Sequence, residues 1–168
     1  DLILKQQPAA GSEIRAGAPI TLTVSGGPDA PIPLQVNLSN VVILEDAQIS
    51  QATFRPGEGI GVTLRWRCLK PLQTSYKVFV HLLTPNLQTL ITQHDGEPVN
   101  GLRPTTTWVP GEIIPDPHQL AIPEGTPSGT YQIRVGLYNE AGRLPVVSSG
   151  KTEVEFDSIL ITEVKIAP

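Results

Sequence analysis

Apolar and polar residues alternate along much of this chain with a period of two. Val62, Leu64, Trp66 and Cys68 interleave with Thr63, Arg65 and Arg67. Tyr76, Val78, Val80 and Leu82 interleave with Lys77, Phe79 and His81, and Ile133, Val135 and Leu137 stand opposite Gln132, Arg134 and Tyr138. Successive side chains of a strand point to opposite faces, so this pattern predicts half-buried strands with one apolar face each. Candidate strands cover residues 20–24, 35–44, 60–69, 75–83, 88–93, 119–122, 130–138, 143–147 and 159–166. Between them lie turn segments at 55–59, 123–129 and 139–142, where Pro fixes φ and Gly supplies positive φ. The only window with helical character is 46–52.

Composition points the same way. Val, Ile and Thr together number 44 against 10 Ala, and there are 17 Pro. β-Branched side chains lose χ1 freedom on a helix, and proline breaks one. A helix bundle is therefore disfavoured, and regularly spaced short strands predict an all-β fold. The expected architecture is an antiparallel β-sandwich, immunoglobulin-like or jelly-roll, with an N-terminal β-hairpin. Three segments follow: a hairpin unit at 1–27, a stiff linker at 28–33 carrying Pro28, Pro31 and Pro33, and the sandwich at 34–168.

Charge removes several function classes. A net charge of −4 with Lys and Arg scattered along the chain leaves no basic footprint for nucleic acid. The longest apolar runs, such as residues 41–44, fall far short of a bilayer span, so no membrane insertion is expected from this segment. A single cysteine, Cys68, excludes an internal disulfide. The chain contains no Met and opens on the strand-like run Asp1-Leu2-Ile3-Leu4. It is therefore expected to be part of a longer polypeptide with covalently linked upstream domains.

Candidate chemistry is sparse. If the three alternating strands are neighbours, Arg65, Arg67, Lys77, His81 and Arg134 share a face with Phe79 and Tyr138. Such a face would suit an anionic or carbohydrate ligand, because rings stack on apolar sugar faces and guanidinium groups pair with carboxylates. The competing reading is a solvated outer face of an antiparallel sheet. Trp108, in the loop 104–111, either stacks a sugar or plugs the open end of the sandwich. Asp95, Arg103 and Asp116 form a candidate structural clasp, through an Asp95–Arg103 or Asp116–Arg103 pair. His94, Asp95, Asp116 and His118 offer metal donors but match no zinc spacing, so no metal and no cofactor is expected. There is no Gly-x-Ser-x-Gly elbow, His-Glu-x-x-His or phosphate-binding glycine loop, and no enzyme is expected.

Two stretches resemble known families. Gln6-Gln7-Pro8, Gly11, Gly17, the alternating Ile20-Thr21-Leu22-Thr23-Val24 and the ending Val24-Ser25-Gly26-Gly27 resemble the carboxy-terminal half of a PASTA domain. The segments Phe79-Val80-His81-Leu82-Leu83, Gln93-His94-Asp95-Gly96-Glu97-Pro98, Pro104 through Glu112, Gly129-Thr130-Tyr131 and Val135-Gly136-Leu137-Tyr138 are similar to an accessory β-sandwich. That sandwich recurs at the carboxy end of certain bacterial integral-membrane glycosyltransferases and envelope proteins. The PASTA resemblance implies an extracytoplasmic, cell-surface setting and weak binding of peptidoglycan or another oligosaccharide. It also implies a sensor role of the kind found in membrane serine/threonine protein kinases. The second resemblance implies an accessory domain of a membrane glycosyltransferase instead. A purely structural spacer is the third expectation.

Overall fold

The structure, a computed structural model, describes residues 3–7, 21–24 and 30–168. Strands β1 (Ile3–Gln7) and β2 (Thr21–Val24) pair antiparallel, with Gln7 opposite Thr21. This is the predicted hairpin. The turn and glycine positions that carry the PASTA resemblance, and the first linker residues, lie outside the described residues.

The rest is a two-layer β-sandwich. One sheet has five strands in the order β12-β3-β4-β6-β9. These are β3 (Ile32–Leu38), β4 (Val42–Ile49), β6 (Gly59–Cys68), β9 (Ile113–Ala121) and β12 (Val146–Ser148). The other runs β13-β14-β10-β7-β8, with β11 added to β10 and β5 added in parallel to β14. Its members are β5 (Thr53–Phe54), β7 (Lys77–Leu83), β8 (Leu90–Gly96), β10 (Gly129–Asn139), β11 (Gly142–Arg143), β13 (Val154–Glu155) and β14 (Ser158–Ile166). Two 3-10 turns, Pro98–Gly101 and Thr105–Thr107, cross the β8–β9 connection. Among the described residues no helix is long and apolar enough to cross a membrane.

The alternation seen in the sequence is the alternation of burial. Along β6, Ile60, Val62, Leu64, Trp66 and Cys68 are all buried while their neighbours reach solvent. They meet Val78, Val80 and Leu82 of β7 and Ile133, Val135 and Leu137 of β10 in one continuous core between the sheets. Removing a side chain as large as Trp66 from such a core typically costs about 3–5 kcal/mol.

Five expectations need correction. The strand expected at 35–44 is two strands, β3 and β4, joined by a turn at Ser39 and Asn40, both with positive φ (50° and 56°). The turn is tied by the Asn40 N–H donating to Asn37 Oδ1 at 3.0 Å. The helical window at 46–52 is mostly the end of β4. A bulge beside Glu45 shifts the register between Leu44 and Asp46, which breaks the period of two and mimics a helical pattern. Strand β9 starts at Ile113, six residues before the expected 119. Pro115 and Pro117 concealed it, yet β9 is a sheet edge, where an imino nitrogen forfeits no ladder bond. The segment 143–147 divides between β11 in one sheet and β12 in the other. The linker is also shorter than predicted, because β3 begins at Ile32 and takes in Pro33.

Candidate functional site

Strands β7 and β10 are neighbours, as the platform reading requires, with Phe79 opposite Gly136 and Lys77 opposite Tyr138. β8 flanks β7 and sets Asp95 opposite Phe79. The β10–β11 hairpin sets Arg143 opposite Tyr138. Five side chains thus meet on the outer face of this sheet: Phe79, His81, Asp95, Tyr138 and Arg143.

Phe79 is the floor. Its ring lies over Gly136 because glycine leaves that space open: a Cβ there would stand 2.5 Å from Phe79 Cε1 and Cζ. The rings of His81 and Tyr138 flank it, with centroids at 4.8 and 6.2 Å. The Arg143 guanidinium carbon sits 4.6 Å from the ring centre, in cation–π geometry. These neighbours leave Phe79 only 2% exposed although it points away from the core.

Asp95 organises the polar rim. Its Oδ1 lies 3.2 Å from His81 Nε2, and its charge stands close enough to Tyr138 to act on that phenol. Burial lowers the His81 pKa from its ordinary value, against the pull of Asp95, and Arg143 pushes the same way as burial. Burial raises the Tyr138 pKa, and the Asp95 charge adds to the rise. Both groups are held neutral and able to donate or accept hydrogen bonds. Two depressions adjoin along Tyr138. The smaller, about 240 Å3, is lined by Phe79, His81, Asp95, Tyr138, Gly142 and Arg143. The larger, about 560 Å3, reaches Ser75, Lys77, Glu97, Asn139 and Glu140. Phe79, expected among the ligand-binding residues, is as buried as Trp108 and supports the surface from beneath; the groups that a polyhydroxylated ligand could reach are the hydrogen-bonding side chains above it.

Other expected residues lie elsewhere. Arg65 and Arg67 are on β6, in the opposite sheet, so the single basic face is divided between the two outer sides of the sandwich. The bulge at Glu45 brings two consecutive acids against them: Arg65 pairs with Asp46 at 2.7 Å and Arg67 pairs with Glu45. Arg134 is on β10 but 1% exposed. Its guanidinium donates to Gln132 Oε1 and the Ser158 carbonyl and pairs with Glu153, so it is a structural post. Trp108 is 2% exposed, with its indole N–H donating to the Arg103 carbonyl at 3.0 Å. It packs 6.5 Å from Trp66 and plugs the sandwich; it cannot stack a sugar.

The clasp residues are engaged with partners other than those expected. Asp95 pairs with His81, and Arg103 with Glu112 at 2.6 Å. Asp116, fully buried, instead accepts three hydrogen bonds. They come from Val99 N–H (2.7 Å), the Trp66 indole N–H (3.1 Å) and His118 Nε2 (2.8 Å). His118 Nδ1 in turn lies 3.0 Å from His94 Nδ1, which joins β9 of one sheet to β8 of the other. Asp116 and His118, two residues apart on β9, share a face of that strand. Among the described residues no three His, Cys, Asp or Glu side chains converge as a metal site.

Sequence reasoning missed Arg143, Gly136 and the role of Asp95 in the platform. A signal for Arg143 was present. With 139–142 read as a turn, counting outward pairs Tyr138 with Arg143. No such signal announced Asp95, whose position depends on the pairing of β7 with β8. No protein-family model matches this chain, and no characterised protein shows significant similarity to it.

Proposed function

We propose that this chain is a non-catalytic, extracytoplasmic binding module of a larger bacterial envelope protein, holding a saccharide such as a peptidoglycan fragment. The ligand surface is the outer face of β8, β7, β10 and β11. The observation that carries this reading is the packed group Phe79–Tyr138–Arg143 with His81 and Asp95, set between two adjoining depressions. These side chains are fixed by one another before any ligand arrives, which reduces the ordering cost of binding. An open surface of this kind buries little ligand area, so binding is expected to be weak. The PASTA-like glycines and strand of residues 7–27 support the wall-facing setting.

The test is a chemical-shift titration of the labelled chain with peptidoglycan fragments and a panel of oligosaccharides. Saturable shifts centred on Lys77, His81, Tyr138 and Arg143 are expected. Shifts confined to residues 1–27, or none at millimolar ligand, would overturn the assignment of the sandwich face.

A further inference from the structure

We infer that Arg143 is an anion-recognition residue and that the saccharide this face takes is a carboxylate-bearing one, with Phe156 as its stacking partner. The inference rests on the binding reading above and narrows it to a ligand class.

Of the six described arginines, four pair with a carboxylate and two, Arg55 and Arg143, do not. Arg65, Arg67, Arg103 and Arg134 each close on a carboxylate of the chain. Arg143 does not: no carboxylate of the described residues pairs with it. The one acid lining its depression, Asp95, has His81 as its hydrogen-bond partner. Arg143 is nonetheless held in place. One of its five N–H groups donates to the Phe156 carbonyl at 2.8 Å, and its central carbon sits over the Phe79 ring. The guanidinium is thus oriented and exposed with no carboxylate bonded to it, Asp95 being the one acid that lines the same depression. A planar fork of this kind matches a carboxylate two bonds at a time.

The residue that anchors it is itself unusual. Phe156 and Asp157 both have positive φ, 51° and 56°, at the tip joining β13 to β14. Two-residue turns of this kind favour Asn-Gly, and an aromatic residue in the left-handed region is strained. The turn is clamped from both sides. Arg143 donates to the Phe156 carbonyl, and Asp157 Oδ1 accepts from Val146 N–H at 2.8 Å. The clamped tip leaves Phe156 80% exposed, on the residue whose carbonyl holds the guanidinium. An exposed aromatic residue on a hydrogen-bonded turn whose carbonyl holds an unpaired guanidinium supplies both halves of acidic-sugar recognition: a stacking face and a counter-charge.

The experiment uses the full chain and a matched pair of probes, a glucuronic-acid-containing oligosaccharide and the same oligosaccharide with its carboxyl groups reduced. The acidic form is expected to bind about tenfold more tightly, as a charge-assisted bidentate contact allows. Arg143→Gln should bring that ratio to about one, and Arg143→Lys, which keeps the charge but loses the fork, should leave it in between. Phe156→Asn, which suits the positive φ and keeps the carbonyl, should weaken both probes alike. Arg55→Gln serves as the control, with the ratio intact. Equal binding of the two probes by the unmodified chain would overturn the carboxylate inference while the saccharide reading stands. No saturable binding of either probe would overturn both. An unchanged ratio in Arg143→Gln would move the anion site elsewhere.

Discussion

Replacing Asp116 by asparagine keeps the shape of the side chain and removes its charge, so any loss is electrostatic and not a matter of cavity. The carboxylate accepts from Val99 N–H, Trp66 Nε1–H and His118 Nε2. An asparagine oxygen placed at Val99 leaves its NH2 facing the indole N–H, which can only donate. One buried donor is then orphaned, at about 1–3 kcal/mol, and two charge-assisted bonds weaken besides. His118 can accept from the new amide only by moving its proton to Nδ1, which forces His94 Nδ1 into the acceptor role across their 3.0 Å contact. Val99 also sits at φ 54°, an unfavourable region for a β-branched residue, and its N–H bond to Asp116 helps hold it there. Removing one partner of a buried, hydrogen-bonded charge typically costs about 3–5 kcal/mol. Asp116→Asn is expected near the lower end, about 3 kcal/mol, which corresponds to a fall of about 6–12 °C in Tm. Trp66 and Trp108 are both buried and are the only tryptophans, so urea unfolding followed by their fluorescence reports the loss directly. A midpoint shift worth less than about 1 kcal/mol would refute this account of Asp116 as a central acceptor. A double-mutant cycle with His118→Gln should show coupling of about 1 kcal/mol or more.

Three further outcomes are expected. Burial lowers the His81 pKa from its ordinary value near 6.5, so on acidification the unfolded chain binds the proton first. The stability this represents is complete above the ordinary value and is lost as pH falls through the lower native one. His81→Gln should flatten the pH dependence of the denaturation midpoint across that window, and an unchanged slope would show that the imidazole is not desolvated. Gly136→Ala drives a methyl group into Phe79 and to within 3.0 Å of the Asp157 carbonyl; a loss of about 1–3 kcal/mol in urea unfolding is expected, with displacement of the Phe79 and Arg143 resonances. Cys68 is buried, which raises its thiol pKa, and its S–H donates to the Lys70 carbonyl at 3.2 Å. Iodoacetamide should leave it unmodified in the native chain and label it fully in urea, and rapid native labelling would mean that the end of β6 opens readily.

The core was legible because it depends on local alternation. Val62 to Cys68 announce one buried face whatever the neighbouring strands are. Partnership between strands is non-local, and this is where the sequence misleads. Arg65 and Lys77 share a pattern but belong to opposite sheets. The acids that neutralise Arg65 and Arg67 arrive through a bulge at Glu45 that a regular alternation cannot foresee. Trp108 and Arg134 have the residue types of a ligand surface, but loop and edge segments that fold back over them put them out of reach. The platform itself was half visible. Lys77, Phe79, His81 and Tyr138 follow from alternation on β7 and β10, whereas Asp95 depends on the pairing of β8 with β7.

Ala30 to Pro33, at the start of β3, and Thr162 to Val164, near the end of β14, line one depression of about 400 Å3. A polypeptide that passes through this sandwich therefore enters and leaves at the same end. Such a unit contributes almost nothing to the contour length of a stalk, however many of its copies are strung together. Tension along the chain would load β3 and β14 at their ends, peeling ladder bonds one after another instead of shearing them together. The sandwich would yield early under load.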